Sequence, residues 1–123
     1  MRRVVITGMG VISPIANGRE EYWKSLKEGR NGVGGITLFD PADFAVRIAA
    51  EVQDFDPERW MDRKEARRAD RVIQFAVGAS DMAVNDASLD VDCLDPDRFG
   101  VFIGSGEGGI STMYEGMKVL MEK

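Results

Sequence analysis

The chain has 123 residues, enough for one domain with one core; 44% of them are apolar and 30% are charged. Its net charge of −5 argues against nucleic acid or an anionic membrane as a partner, and no apolar run approaches the roughly 20 residues of a membrane span. A single cysteine excludes an internal disulfide, so the sequence predicts a soluble protein of the reducing cytoplasm.

The first part of the chain predicts a strand, a helix and a second strand. Residues 3–12 begin with the apolar run VVI, which is typical of a strand covered on both faces. Asn17, with Glu20 three residues later, resembles a capping box, and Gly29 is a typical helix stop, so we expect a helix between them. The alternation in VRIAAEV, residues 46–52, predicts a half-exposed strand.

The rest of the chain predicts a long helix, another strand and a final helix. Alanines at helical spacing predict one continuous helix over residues 63–88. Residues 99–104 predict a strand, and residues 110–123 predict the last helix. Asp-Pro pairs at 40–41, 56–57 and 95–96 predict turns or short helix starts, because Asp caps a helix and Pro suits its first turn. This order of elements indicates an α/β layered fold.

The glycine-rich segment GSGEGG, residues 104–109, has the pattern of a dinucleotide-binding turn. Gly104, Gly106 and Gly109 satisfy G-x-G-x-x-G between a predicted strand and a predicted helix. Against this interpretation, Glu107 lies inside the phosphate cradle and would repel a pyrophosphate, and no second strand carries the expected ribose-binding acid. Glycine-rich turns are more often points of close packing, which is the favoured interpretation here.

A basic cluster lies at the start of the predicted long helix. Five of the 16 basic residues fall within nine positions. Those that would share one helical face, at i, i+3, i+4 and i+7, are Lys64, Arg67, Arg68 and Arg71. Such a face is usually solvated and partly neutralised by acidic neighbours, here Asp62, Glu65 and Asp70. In an acidic chain it also fits a docking surface for an acidic partner, and charge alone does not separate the two.

Cys93 is the single cysteine and a poor candidate for a nucleophile. It lies in DVDCLDPD, where the surrounding carboxylates disfavour a thiolate. The chain has no histidine, so it can form neither a Cys–His pair nor a zinc site of Cys and His ligands. We therefore predict a structural or surface cysteine, no catalytic residue and no metal site in this chain.

Several stretches together resemble the β-ketoacyl-acyl-carrier-protein synthases, in their elongating, type II-like branch. They are RRVVITGMGVISPIANG, the FDP segment with VRIAAEV, DRKEARRADRVIQFA and RFGVFIGSGEGG, in the family's order and over essentially all 123 residues. The resemblance implies a thiolase-like layered α-β-α-β-α fold, of which residues 1–123 form the N-terminal part. It also implies a homodimer that acts in fatty-acid or polyketide synthesis.

The chemistry that the resemblance implies is a decarboxylative Claisen condensation. A cysteine accepts an acyl chain from acyl carrier protein, and the carbanion formed when malonyl-carrier protein loses CO2 attacks that thioester. The family's cysteine, two histidines and lysine lie beyond residue 123, so we expect this segment alone to be inactive. No metal or redox cofactor is implied, because the phosphopantetheine arm belongs to the carrier protein.

Two family sites map onto residues of this chain. The basic helix start resembles the carrier-docking patch, and the residues it implies in that role are Lys64, Arg67 and Arg68. The loop around Gly106, Glu107 and Gly108 resembles the one that reaches the floor of the acyl pocket near the dimer interface. Many relatives have an apolar residue in place of Glu107, so we expect an altered acyl preference. A non-condensing chain-length partner subunit is the first alternative, and a nucleotide-dependent oxidoreductase is the second.

Overall fold

The computed structural model describes residues 2–122, and four α-helices dominate that part of the chain. The helices are α1 (Arg19–Lys27), α2 (Arg63–Arg68), α3 (Arg71–Asp86) and α4 (Ile110–Met121). Two antiparallel pairs of short strands accompany them: β1 (Ile12–Ser13) with β2 (Ala16–Asn17), and β3 (Gly34–Gly35) with β4 (Ile48–Ala49). Single 3-10 turns lie at Pro57–Arg59, Val91–Cys93 and Pro96–Arg98.

Helix α1 forms where the sequence predicts it, but its start differs from the expected capping box. Gly18, with φ of 109°, stands at the N-cap, and no side chain caps the first turn. Asn17 is instead paired with Ile12 in the β1–β2 ladder, and its Nδ2 donates to the carbonyl of Gln53 at 3.3 Å. The predicted C-terminal stop is confirmed, because Gly29 adopts a left-handed φ of 64°.

The predicted continuous helix over residues 63–88 is wrong, because the chain breaks it into α2 and α3. Ala69 and Asp70 have ψ values of 129° and 158°, which no α-helix contains. The carbonyls of Ala66 and Ala69 accept hydrogen bonds from Gln74 Nε2 at 2.8 and 3.2 Å. Alanine favours an unbroken helix, but these tertiary hydrogen bonds satisfy the carbonyls that the break exposes.

The predicted strands over residues 3–12 and 99–104 are also largely wrong in this structure. Only Ile12 lies in a ladder, and residues 99–104 have no regular secondary structure. Strand hydrogen bonds need a neighbouring strand, and within residues 2–122 neither residues 3–11 nor residues 99–104 have one. Their apolar side chains are therefore open to solvent, with Val4 and Phe102 each 96% exposed.

The predicted strand over residues 46–52 is reduced to Ile48–Ala49, which pairs with Gly34–Gly35. Glu51 extends this contact beyond the ladder. Its carboxylate accepts hydrogen bonds from the hydroxyl of Thr37 at 2.6 Å and from the amides of Thr37 and Leu38, and the hydroxyl contact is the main cause of the lowered pKa of Glu51. The predicted alternation is wrong at this pair, because Val46 and Ile48, expected on the covered side, are exposed, while Ala49 is partly buried.

Helix α3 is the packing centre of the described residues. Phe55 stacks on Trp60 with centroids 5.0 Å apart and meets Phe75 edge-on at 4.9 Å. Gly78 lies beside this cluster and is the one buried residue of α3. On another side, the backbone at Gly8 and Gly10 is seated directly against α3, where an added Cβ would overlap the carbonyl oxygens of helix residues.

The Asp-Pro prediction is confirmed at all three positions. Asp56 and Asp95 cap the 3-10 turns that begin at the following prolines, and Asp40 accepts from the amide of Ala42 at 3.0 Å.

The predicted last helix is also confirmed as α4. None of the helices within residues 2–122 is long and apolar enough to span a membrane.

Candidate functional site

Helix α2 presents the predicted basic face to solvent. Asp62 caps the helix, with its Oδ1 accepting from the amides of Lys64 at 2.8 Å and Glu65 at 2.9 Å. Ala66 is the buried residue of the helix and fixes which side points inward. The residues that remain exposed and form what we call the basic face are Lys64, Arg67 and Arg68.

The three cations of the basic face are free of ion pairs within the described residues. The ion pairs found between residues 2 and 122 use Arg19, Lys24 and Arg63 as their cations. Of the nearby acids, Asp62 caps α2 and Asp70 bonds to Thr112, while the exposed carboxylate of Glu65 makes no hydrogen bond or ion pair among the described residues. The face therefore offers an acidic partner three cations that are not held in ion pairs.

Arg71 does not belong to this face, although helical spacing predicts that it does. The break at Ala69 and Asp70 places Arg71 at the start of α3. Its guanidinium lies 4.6 Å from the ring centre of Phe75 and 5.1 Å from that of Phe55, and it donates to the carbonyl of Val52 at 3.2 Å. Burial lowers the pKa of Arg71 from its ordinary value. Arg71 thus serves the aromatic cluster and not a docking surface.

The predicted glycine loop, residues 104–109, leads directly into α4. Gly109 is the N-cap, with a left-handed φ of 84° that a side chain would strain. Gly108 lies against α3, since an added Cβ would lie 2.7 Å from Ser105 Oγ and 3.0 Å from Val72 Cγ1. Gly106 has open space around it among the described residues. Close packing therefore explains Gly108 and the left-handed backbone explains Gly109, but neither applies to Gly104 or Gly106.

Glu107 faces a hollow of about 810 Å³ between the glycine loop, α3 and the start of β1. Its wall includes the apolar side chains of Phe75 and Ala79 from α3 and of Phe102 from residues 99–104. Glu107 is exposed, and within residues 2–122 its carboxylate makes no hydrogen bond or ion pair. The structure thus places a free carboxylate at the rim of a largely apolar hollow.

The start of α4 is not arranged to hold a phosphate. A helix N-terminus binds anions through its unpaired amides, and here the carboxylate of Asp70 already accepts from the amide of Thr112 at 3.3 Å. The same oxygen accepts from the Thr112 hydroxyl at 2.7 Å, and this bond is the main cause of the lowered pKa of Asp70. With Glu107 beside it, the turn has two carboxylates where a nucleotide phosphate would lie.

The contact between Asp70 and Thr112 is a feature beside the glycine loop that sequence patterns missed. It joins residues 42 positions apart, so no local spacing reveals it. One signal was available: Asp70 is an N-cap residue type in the middle of a predicted helix, where it is unfavourable. Gln74 was missed for the same reason, since its role depends on the helix break.

Cys93 lies on the surface, away from both the basic face and the glycine loop. Its thiol donates to Asp90 Oδ2 at 3.2 Å, within the acidic turn that the sequence indicates. In the part of the chain that the structure describes, no three Cys, Asp or Glu side chains gather into a metal-binding group. The features to be explained are thus the basic face and the glycine loop.

Sequence comparison places the chain among known proteins. Residues 1–123 match the family described as "Beta-ketoacyl synthase, N-terminal domain". The chain is 49% identical to "3-oxoacyl-[acyl-carrier-protein] synthase 2" of Synechocystis sp. over 122 residues, which cover 99% of this chain and 29% of that protein. It is 46% identical to the protein of the same name from Staphylococcus aureus, over 99% of this chain and 30% of the relative.

A solved structure agrees with these relatives. The structure titled "The ishigamide ketosynthase/chain length factor" superposes with a TM-score of 0.69 and 48% sequence identity, over 76% of this chain and 23% of the other. The chain thus spans about three-tenths of the length of the curated relatives that it matches. With the match extending over all 123 residues, the chain belongs to the β-ketoacyl synthase family, as part of its N-terminal domain.

Proposed function

We propose that this chain is the N-terminal segment of an elongating β-ketoacyl-acyl-carrier-protein synthase. The observation that carries the proposal is the family match over residues 1–123, joined by 49% identity to a 3-oxoacyl-carrier-protein synthase. In the whole enzyme, residues 1–123 contribute to a thiolase-like layered α-β-α-β-α fold that dimerises in the cytoplasm. Its substrates are acyl- and malonyl-carrier proteins, and it uses no cofactor of its own.

The segment contributes binding and shape, and the reaction takes place on residues outside it. The chain contains no histidine, and its one cysteine hydrogen-bonds to Asp90 on the surface. The acyl transfer to a cysteine, the loss of CO2 from malonyl-carrier protein and the attack of the carbanion on the acyl thioester therefore need the rest of the enzyme. Alone, the 123-residue segment is inactive.

The full-length enzyme that contains this segment provides the test of the function. Purified with acyl- and malonyl-carrier protein, it should release CO2 and form a β-ketoacyl-carrier protein. Binding of the carrier protein without condensation would instead identify the non-condensing chain-length partner. Failure to bind the carrier protein at all would reject both assignments.

The basic face is the surface where the acidic carrier protein docks. Reversing all three charges, with Lys64→Glu, Arg67→Glu and Arg68→Glu, is expected to raise the KM for acyl-carrier protein about tenfold or more, because three exposed cations that form no ion pair would become anions. The rate with a small acyl thioester, which needs no docking, should stay within twofold of the original. Steady-state kinetics with both substrates measures the difference.

A variant with the same change in net charge controls for long-range electrostatics. Lys24→Glu, Lys27→Glu and Arg30→Glu reverse three cations in and just after α1. This variant should leave the KM for acyl-carrier protein nearly unchanged. An equal rise in KM for both triple variants would mean that overall charge, and not the basic face, governs docking.

Glu107 sets the acyl-chain preference from the rim of the hollow. An unpaired carboxylate beside apolar walls resists burial by an acyl chain, because a charge without a partner loses its hydration there. In the full-length enzyme, Glu107→Ile should shift the preferred substrate toward longer acyl chains. Glu107→Gln keeps the size but removes the charge and should shift it less. Competition assays with mixed acyl-carrier proteins measure the preference, and an unchanged profile in Glu107→Ile would rule out this role.

A further inference from the structure

One hydrogen-bonded contact connects the docking surface with the pocket loop. Asp70 is the N-cap of α3, and its carboxylate lies near the amides of Arg71 and Val72 without a well-aligned capping hydrogen bond to either. Its Oδ2 instead accepts from the hydroxyl and the amide of Thr112, the third residue of α4, at 2.7 and 3.3 Å. Asp70 therefore caps a helix other than its own, and the helix dipole of α4 favours its negative charge. We call this contact the Asp70–Thr112 latch.

On one side, the latch is joined firmly to the basic face. Gln74, in the first turns of α3, donates from Nε2 to the carbonyls of Ala66 and Ala69 at 2.8 and 3.2 Å. Ala66 is also buried, so α2 has little freedom to move relative to α3. The basic face on α2 is thus held in a fixed position relative to Asp70, the N-cap of α3.

On its other side, the latch lies beside the glycine loop. Thr112 follows the loop by three residues, and Gly108 packs onto Val72, two residues after Asp70. A second hollow, of about 580 Å³, runs between the two sites and is lined by Arg68, Asp70, Gly108 and Thr112 among others. Among the described residues, the Asp70–Thr112 latch is the side-chain hydrogen bond that links the start of α3, beside the basic face, to the start of α4, beside the glycine loop.

We propose that Asp70 and Thr112 are positioning residues that hold the glycine loop in a fixed place relative to the basic face. This proposal rests on the proposed function and deepens it, since it concerns the same docking and pocket sites. A docked carrier fixes where its acyl chain enters, and the latch fixes the loop that the chain must pass. Loss of the Asp70–Thr112 hydrogen bond should leave docking intact but increase the mobility of the glycine loop. A smaller fraction of the bound acyl chains would then be correctly positioned for reaction.

Substitutions at Thr112 separate this role from simple packing. Thr112→Val keeps the branched shape but removes the hydroxyl, and Thr112→Ser keeps the hydroxyl. In the full-length enzyme, Thr112→Val should lower kcat with long acyl-carrier substrates by about ten- to a hundredfold while the KM for the carrier stays within twofold. Thr112→Ser should retain near-original kcat. Tyr114→Phe removes an exposed hydroxyl from the same helix, away from both hollows, and is the matched control that should have no effect.

A double-mutant cycle tests whether the two residues act together. Asp70→Ala and Thr112→Val should each lower kcat, because each removes one partner of the hydrogen bond, and the double variant should be no worse than the more severe single one. Additive losses would contradict the latch. Equal decreases in kcat for Thr112→Val and Thr112→Ser would also contradict it. The same is true if Thr112→Val lowers kcat equally with carrier-bound and with small acyl thioesters.

Hydrogen exchange supplies a readout that does not depend on activity. In Thr112→Val, amides of residues 104–112 should exchange faster, while those of α2 stay as protected as before. Unchanged exchange in the loop would overturn the proposal even if the enzyme is a synthase. Faster exchange in a protein that fails to condense acyl groups would keep the latch and reject the proposed function, so the two failures are distinguishable.

Discussion

Gly10→Ala is expected to destabilise the full-length enzyme that carries this segment by about 3 kcal/mol, because its Cβ has no room. The added carbon would overlap the carbonyl oxygen of Ala79 and lie 2.8 Å from its carbonyl carbon and 2.9 Å from the Cβ of Met82. These are backbone and near-backbone atoms of α3, so no side-chain rotation relieves the overlap. The N-terminal segment must instead lift off the helix. Thermal unfolding followed by circular dichroism measures the loss.

Gly34→Ala is the matched control for this substitution. Gly34 has nothing within 4 Å of the position its Cβ would occupy, and its backbone does not have a positive φ. The same chemical change there should alter the unfolding free energy by less than about 0.5 kcal/mol. A Gly10→Ala enzyme that melts at the same temperature as the Gly34→Ala enzyme would refute the close approach of the first segment to α3.

Phe55→Ala is expected to cost about 3–5 kcal/mol, the usual range for an aromatic removed from a core. The ring contacts Trp60, Phe75 and the guanidinium of Arg71, all within 5.1 Å between centres. Only Phe55 and Ala66 are buried apolar residues among those described, so little else can compensate. Chemical denaturation of the full-length enzyme, followed by tryptophan fluorescence, measures the cost, because Trp60 stacks on this ring.

A second aromatic pair provides the comparison for Phe55. Phe44 meets Phe39 edge-on at 5.5 Å, but it is 57% exposed. Phe44→Ala removes the same atoms and should cost about 1 kcal/mol or less, since most of its ring is already in water. Similar losses from both substitutions would mean that the Phe55 cluster does not anchor α3.

Features encoded by neighbouring residues were predictable from the sequence. Helix α4, the stop at Gly29 and the Asp-Pro turns depend on residues within four positions of one another, and the structure confirms them. The family itself was also recognisable, because RKEARRADR and GSGEGG are short, specific stretches. Local spacing therefore revealed the basic cluster and the glycine-rich segment, whereas the roles predicted for them came from the resemblance to the family.

Features that depend on distant contacts were not predictable in the same way. The break between α2 and α3 requires Gln74 to satisfy freed carbonyls, and the latch requires Thr112, 42 residues from Asp70. Helical spacing therefore assigned Arg71 to the basic face, while the structure assigns it to the aromatic cluster. The segments 3–11 and 99–104 have strand-like composition, but composition does not supply a neighbouring strand.

The shortness of α2 has a consequence for how carrier partners change over evolution. Six residues make fewer than two helical turns, too few to persist alone, so the cap from Asp62, the hydrogen bonds from Gln74 and the burial of Ala66 maintain the helix. None of these contacts uses the outward side chains. A lineage can therefore replace Lys64, Arg67 and Arg68 one at a time without unfolding the helix. Given the proposed docking role of the basic face, these three side chains could be changed to suit another carrier protein while α2 keeps its structure.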